Sequence, residues 1–253
     1  MTVDSGLVKK NFSRYPDYYH NSAVTQKKAA SELVQMIASA GNSDGYSDIL
    51  EIGCGTGFLS AGLAELFSGA AITVTDISPA MLDFCRNILP PNTESRFSFM
   101  EHDITDGCPG GSYDLVVSSL VFQWIPDFPT LMHDIHAHLK NGGSLIFATL
   151  TDGTFADIQR IFNNMEIPFP MPPLAAADEL LAALDGFTNV TFHEEKYVEK
   201  YSSMKEFLNH IQGTGAGNAT GRKVPVSALR KLIKEYDDGV SAEYRILFVA
   251  ASR

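Results

Sequence analysis

The chain has 253 residues, with 30 acidic against 19 basic side chains for a formal net charge of −11, and is 45% hydrophobic and 19% charged. It is long enough to bury a full core and has the balance of a soluble globular protein, fitting one domain with an insertion better than two. The same numbers exclude a general nucleic-acid binder, which needs a basic surface to neutralise phosphates. No apolar run approaches the ~20 residues needed to span a bilayer, and the N-terminus carries no basic-then-apolar leader. Cys54, Cys85 and Cys108 lack metal-ligand spacing, which points to a reduced, cytoplasmic protein without a metal site.

In chain order, residues 7–40 read as helical, with an apolar stripe through Leu33, Val34 and Ile37. From 46 to 150 strand and helix patterns alternate, which predicts a mostly parallel sheet. Residues 49–52 form a short apolar strand that runs into Gly53-Cys54-Gly55-Thr56-Gly57. The three glycines let the backbone turn tightly and approach a ligand where a Cβ would collide, and Cys54 is the small residue packed within them. The spacing is not that of dinucleotide binders, and there is no Lys-Ser/Thr pair to hold a triphosphate. Glu51, just ahead, repels phosphates and suits a cationic ligand.

Residues 71–76 are a second apolar strand that ends in Asp76, about 20 residues beyond the glycines, where nucleoside-binding α/β folds place a carboxylate on the ribose hydroxyls. Ser78 and Pro79 then open a helix as N-cap and first helical residue. A third strand at 97–100 leads into Glu101-His102-Asp103-Ile104. Asp76 and Asp103 also have a plainer reading, as strand-end turn residues. A fourth strand covers 113–118. His133, His136 and His138 share one helix and read as a solvated face rather than a zinc site. Asn141-Gly142-Gly143 reads as a helix stop before a fifth strand at 144–149. Beyond it come a helix near 154–164, a Pro-rich break at 168–173 expected to loop over the site, and a helix near 175–185. The remainder holds a strand at 190–201, helices near 203–212 and 226–236 joined by a flexible glycine-rich link at 213–218, and a last strand at 244–251.

An acidic residue leading into Gly-x-Gly-x-Gly, followed by Asp76 and Asp103 at these positions, resembles the class I S-adenosylmethionine-dependent methyltransferases. Further pieces narrow the resemblance: Phe12-Ser13-Arg14-Tyr15, Tyr18-Tyr19, Gln26, Ser118-Ser119-Leu120-Val121-Phe122-Gln123-Trp124, Thr149-Leu150-Thr151-Asp152-Gly153-Thr154, and Ser203-Met204-Lys205-Glu206-Phe207-Leu208. Together they are similar to the malonyl-acyl-carrier-protein O-methyltransferases of biotin synthesis, with Ser119 standing where that family is expected to carry Asn. The resemblance implies a Rossmann-like α/β fold with a seven-stranded, mostly parallel sheet, one antiparallel edge strand and a helical lid. It implies a single methyltransferase domain over 1–253: lid helices at 7–40, a cofactor core at 46–150, lid or insertion segments at 151–188 and 203–236, and the last strand at 244–251.

The implied activity is transfer of a methyl group from S-adenosylmethionine, leaving S-adenosylhomocysteine, to the free carboxylate of malonyl thioester on acyl carrier protein or coenzyme A. A carboxylate is ionised at neutral pH and already nucleophilic, so such a site needs alignment and desolvation more than a base. The implied cofactor residues are Gln26, Glu51, Gly53, Cys54, Gly55, Gly57, Asp76, Ile77, Asp103, Ile104, Ser119 and Leu120. Tyr18, Arg14, Gln123 and Trp124 are the candidates for positioning the acceptor. Arg14 reads either as the cation for the carboxylate or as a surface residue beside aromatic neighbours. Tyr18 reads as a closing residue or as packing, Trp124 as pocket or core, Gln26 as ligand contact or helix cap. Lys205, Arg222, Lys223, Arg230, Lys231 and Lys234 form a candidate docking patch for an acidic carrier, or a solvated face. Two other readings remain. One is a different small-molecule methyltransferase, acting on another carboxylate or on a quinone carbon with His102 as base. The other is a catalytically silent cofactor binder.

Overall fold

Strand β1 (Asp48–Ile52) is apolar on both sides of its pleat because both are covered: Ile49, Leu50, Glu51 and Ile52 are all buried. That is the signature of a central strand in a parallel sheet with helices on each face. A computed structural model describes residues 3–40, 45–93, 95–217, 221 and 224–253. In it β1 lies between β2 (Ala71–Asp76) and β4 (Tyr113–Ser119), parallel to both. Outside these come β3 (Phe97–Glu101) on one side and β5 (Leu139–Leu150) on the other, also parallel. The sheet is completed by β6 (Thr188–Tyr201) and β7 (Val240–Ser252), giving seven strands in the order β3-β2-β1-β4-β5-β7-β6. Strand β7 is antiparallel to both neighbours, so the antiparallel pairing expected at the edge is carried one place in and β6 is the edge.

The strand order reverses between β1 and β4, and the crevice beyond the carboxyl ends of those strands is where open α/β sheets bind ligands. One face of the sheet is covered by α3 (Val24–Ser39), α4 (Phe58–Leu66) and α5 (Pro79–Ile88), whose Leu33, Ile37, Leu63 and Cys85 are buried beside Ile49 and Val117. On the other face, Leu131, Met132 and Ile135 of α6 (Phe128–His138) and Leu180 of α8 (Ala177–Ala182) pack against Leu50, Val116 and Phe147. Helix α5 starts as its sequence predicts: Ser78 accepts from the Met81 N–H at 3.2 Å, with Pro79 next.

The N-terminal helical stretch is three helices, α1 (Ser5–Phe12), α2 (Pro16–Ser22) and α3, with breaks that fold the first two over the carboxyl ends of the strands. The remaining helices are α7 (Ala156–Asn164), α9 (Met204–Gly213) and α10 (Val226–Glu235). Two local expectations are corrected. Asn141-Gly142-Gly143 is not the helix stop: α6 ends at His138, and these residues continue β5 as an irregular stretch where the register with β4 shifts. Gly213 and Gly215 are seats for aromatic rings rather than a flexible link, since an added Cβ would come within 2.3 Å of Tyr18 and 2.7 Å of Phe12. Asn218, at the end of that link, lies outside the described residues.

Candidate active site

The site begins where β1 ends. Gly53 has φ +71°, and a Cβ there would lie 2.3 Å from Val121, so the turn and the β4 loop touch only because the side chain is missing. The Gly53 and Cys54 N–H groups donate to the Thr75 carbonyl at 2.8 and 2.9 Å, tying the turn to the end of β2. Asp76 then clamps it: its carboxylate accepts from the Gly55 N–H at 2.9 Å and the Ser78 N–H at 2.8 Å. Gly57 serves packing, since a Cβ would meet Cys85 and Ile88 of α5 at 2.9 Å, and it is not among the residues facing the cavity.

Two buried carboxyl groups make the floor acidic. Glu51 accepts from the Ser60 hydroxyl at 2.6 Å, and burial pushes its pKa up to about 7. Burial likewise raises Asp76 to about 6, against the pull of its two backbone donors. Groups held this way favour a ligand that brings positive charge. Cys54 is buried, and its thiol is pushed well up by burial and by Cys85, so it stays a neutral packing group.

Three hollows meet here, and Tyr19 lines all of them. The first has a volume of about 720 Å³ including its open mouth. Its near wall is Gly53, Gly55, Asp76 and Ile77; its far end is His102, Asp103, Ile104 and Thr105; its other wall is Ser119, Leu120, Val121 and Trp124. Val8, Phe12 and Tyr19 complete the lining from α1 and α2. Asp103 is held by accepting from Thr105 N–H and hydroxyl at 3.0 and 2.7 Å. The second, small hollow collects Gln26, Glu51, Gly53, Cys54, Gly55 and Ser119. The third lies past Leu120 and Trp124, against Gln26, Gln123, Phe155, Met171, Ile211, Thr214 and Tyr244.

Leu120 has φ +56°, a conformation rare for a branched side chain, and stays there because its N–H donates to Ala148 at 2.8 Å and its carbonyl accepts from the Gln123 amide at 2.7 Å. Gln123 is oriented in turn by the Thr149 hydroxyl at 3.1 Å. Trp124 is 8% exposed and packs edge-on to Phe12 at 5.9 Å. The Gln26 carbonyl oxygen is buried with no hydrogen-bond partner while lining two of the hollows.

Of the residues singled out in the sequence, Gln26, Glu51, Gly53, Cys54, Gly55, Asp76, Ile77, Asp103, Ile104, Ser119, Leu120, Gln123 and Trp124 all border this connected space. Arg14 does not: it is exposed, with its guanidinium 5.1 Å from the Tyr15 ring centre. Tyr18 does not either; it is 42% exposed and rests on Gly213 beside His210. Tyr19 takes the inner position because consecutive residues of a helix point about 100° apart. Phe12, Met171 and Tyr244 also reach the space without having been singled out for it; Phe12 and Met171 lay in segments already flagged. His102 sits at the far end, a ring nitrogen 2.6 Å from the Gly107 carbonyl. The histidine row on α6 is divided: His136 packs on Phe187, and His138 bonds the Asp134 carbonyl at 2.9 Å. Lys205, Arg230, Lys231 and Lys234 are exposed, with Leu232 buried on the inner side of α10, whereas Arg222 and Lys223 lie outside the described residues.

Residues 50–145 match the model of a methyltransferase domain family. A malonyl-acyl-carrier-protein O-methyltransferase of Magnetococcus marinus is 32% identical, over 96% of this chain and 91% of its own length. The protein of the same name from Acetivibrio thermocellus is 29% identical, over 99% and 95%. Among solved structures, the N-methyltransferase NodS of Bradyrhizobium japonicum in complex with S-adenosylhomocysteine superposes with a TM-score of 0.51, at 19% identity, covering 89% of this chain and 86% of that one.

Proposed function

This chain belongs to the malonyl-acyl-carrier-protein O-methyltransferases, and from that premise we propose that it moves a methyl group from S-adenosylmethionine to the free carboxylate of a malonyl thioester on acyl carrier protein, an early step of biotin synthesis. The observation that carries the reading is the pairing of an acidic floor with a neutral chamber: Glu51 and Asp76 lie on one side of Tyr19, and the described lining past Leu120 and Trp124 bears no formal charge.

The residues present fit the cofactor. The unpartnered Gln26 oxygen is an acceptor for an ammonium group, and Glu51 beside it supplies negative charge. Asp76 and Ile77 would hold the ribose; Asp103 and Ile104 the adenine; Gly53, Cys54, Gly55, Ser119 and Leu120 the remaining contour, with Gly57 acting by packing. When bound, S-adenosylmethionine supplies an electrophilic methyl on a sulfonium. The chain's part is to bind, align and exclude water. Phe12 and Tyr19 close the space from above, Gln123 holds the strained Leu120 turn, and Trp124 forms the wall between the two ends. No general base is required, because the acceptor carboxylate is already ionised. The carbon-acceptor alternative fares worse, since its candidate base, His102, is bonded to Gly107 at the far end of the first hollow. We assign carrier docking to the exposed Lys205, Arg230, Lys231 and Lys234.

The test is to incubate the protein with methyl-labelled S-adenosylmethionine and either malonyl-acyl carrier protein or malonyl-coenzyme A. Base-labile label on the malonyl group is expected. No label in either tube, with S-adenosylhomocysteine still raising the melting temperature, would mean a silent binder.

A further inference from the structure

We propose that the Tyr244 hydroxyl is the donor that grips the acceptor's carboxylate and makes the chamber prefer a free acid over its ester; the proposal rests on the methyl-acceptor reading above. Tyr244 stands on β7 with 3% of its surface exposed, and its ring is held edge-on against Phe155 at 4.6 Å. Its hydroxyl is buried without a partner at hydrogen-bond distance, the Tyr201 hydroxyl being a close neighbour, and the residue lines the chamber. Buried hydroxyls are normally satisfied, and one left open at the wall of a binding chamber is a vacant donor for a ligand.

Three polar neighbours, Tyr201, Thr214 and Gln123, are already committed. The Tyr201 hydroxyl donates to Glu199 at 2.6 Å, and the other Glu199 oxygen accepts from Thr25. Thr214 donates to the His210 carbonyl at 2.9 Å, and both ends of the Gln123 amide are bonded to Leu120 and Thr149. Burial, reinforced by the Glu199 carboxylate and only partly opposed by the Tyr201 hydroxyl, pushes the Tyr244 phenol up, so it keeps its proton. A neutral O–H holds a carboxylate by one charge-assisted bond and leaves the other oxygen's lone pairs available to attack. Once that carboxylate has become an ester the bond loses its charge assistance, so the product is held less tightly than the substrate.

The test compares wild type with Tyr244→Phe, using malonyl-coenzyme A to keep carrier docking out of the measurement. Because the hydroxyl has no partner, the variant should match or exceed the wild-type melting temperature and bind S-adenosylhomocysteine equally well. Its KM for malonyl-coenzyme A should rise about 10- to 100-fold with kcat changed far less, the loss of one hydrogen bond to a charged group. With S-adenosylhomocysteine present, wild type should bind malonyl-coenzyme A at least about 10-fold more tightly than its methyl ester, and the variant should bind the two alike. Tyr201→Phe should keep the acid-over-ester preference. A Tyr244→Phe enzyme with wild-type KM and preference overturns the assignment alone. A wild type that binds S-adenosylhomocysteine yet methylates neither malonyl-coenzyme A nor malonyl-acyl carrier protein overturns the acceptor reading and the assignment with it.

Discussion

At the scale of single residues, the acidic floor makes binding pH-dependent. Glu51 and Asp76 have folded pKa values of about 7 and about 6, above their ordinary 4.5 and 3.8, so the empty protein binds more protons folded than unfolded between pH 4 and 7. Their contribution to stability is therefore fully present below pH 4 and is lost as pH rises through 6 to 7. A cationic ligand reverses the preference by favouring both carboxylates ionised. S-adenosylmethionine should thus bind more tightly at pH 8 than at pH 5.5 and release protons on binding, measurable by calorimetry in two buffers of different ionisation enthalpy. Glu51→Gln keeps an acceptor for Ser60, and it should weaken binding while flattening that pH profile. A profile unchanged by the substitution would show that Glu51 does not sense the ligand. Asp76 is legible in the sequence because its place is set by the strand it ends. Tyr19 is not, because Tyr18 beside it has the same chemistry and only the orientation of α2 separates them.

At the scale of elements, α3 shows how distant parts of the chain hold the site. Its N-cap residue, Ala23, offers no capping side chain. Glu199 of β6 does that work from the far edge of the sheet, accepting from the Thr25 N–H at 3.1 Å and from its hydroxyl. The same carboxylate accepts from Tyr201 and lies 3.7 Å from His210 of α9, so one side chain ties α3, β6 and the lid together. Gln26 is the next residue along α3. Glu199→Ala should cost ~1–2 kcal/mol, as loss of a helix cap does, lowering the melting temperature by about 3–6 °C. It should also weaken S-adenosylhomocysteine binding through Gln26. An unchanged affinity would mean that α3 is positioned without this cap. The misread Asn141-Gly142-Gly143 stretch belongs here too: its composition is that of a turn, but it lies inside β5 as an irregular stretch between the β4 pairings of Leu139 and Ser144, with β7 pairing starting at Ser144.

At the scale of the molecule, charge is the deciding quantity. A chain of net charge −11 repels an acidic carrier at long range unless a local patch opposes it. Lys205 on α9 and Arg230, Lys231 and Lys234 on α10 are exposed in the segment that follows β6. Reversing Arg230 and Lys231 to Glu should raise KM for malonyl-acyl carrier protein several-fold at low salt and leave malonyl-coenzyme A turnover nearly unchanged. The gap should close as ionic strength rises, because screening removes the steering that the patch provides. Equal turnover of the carrier-bound substrate by both proteins at low salt would rule the patch out.

Local rules in the chain determine the alternation of strands and helices, the glycine turn and the two strand-end aspartates. Each of these is set by neighbours a few residues away: side-chain period, missing Cβ atoms, a cap at Ser78. The tertiary structure decides what faces the ligand. Phe12, Tyr19, Met171 and Tyr244 come from α1, α2, a Pro-rich loop and β7, segments more than two hundred residues apart at the extremes. Whether such a side chain points inward depends on how its element is rotated against the sheet, and that rotation is set by packing at contacts such as Tyr18 on Gly213 and Phe12 on Gly215. Arg14 is the converse case: its chemistry suits a carboxylate, and the break between α1 and α2 turns it to solvent.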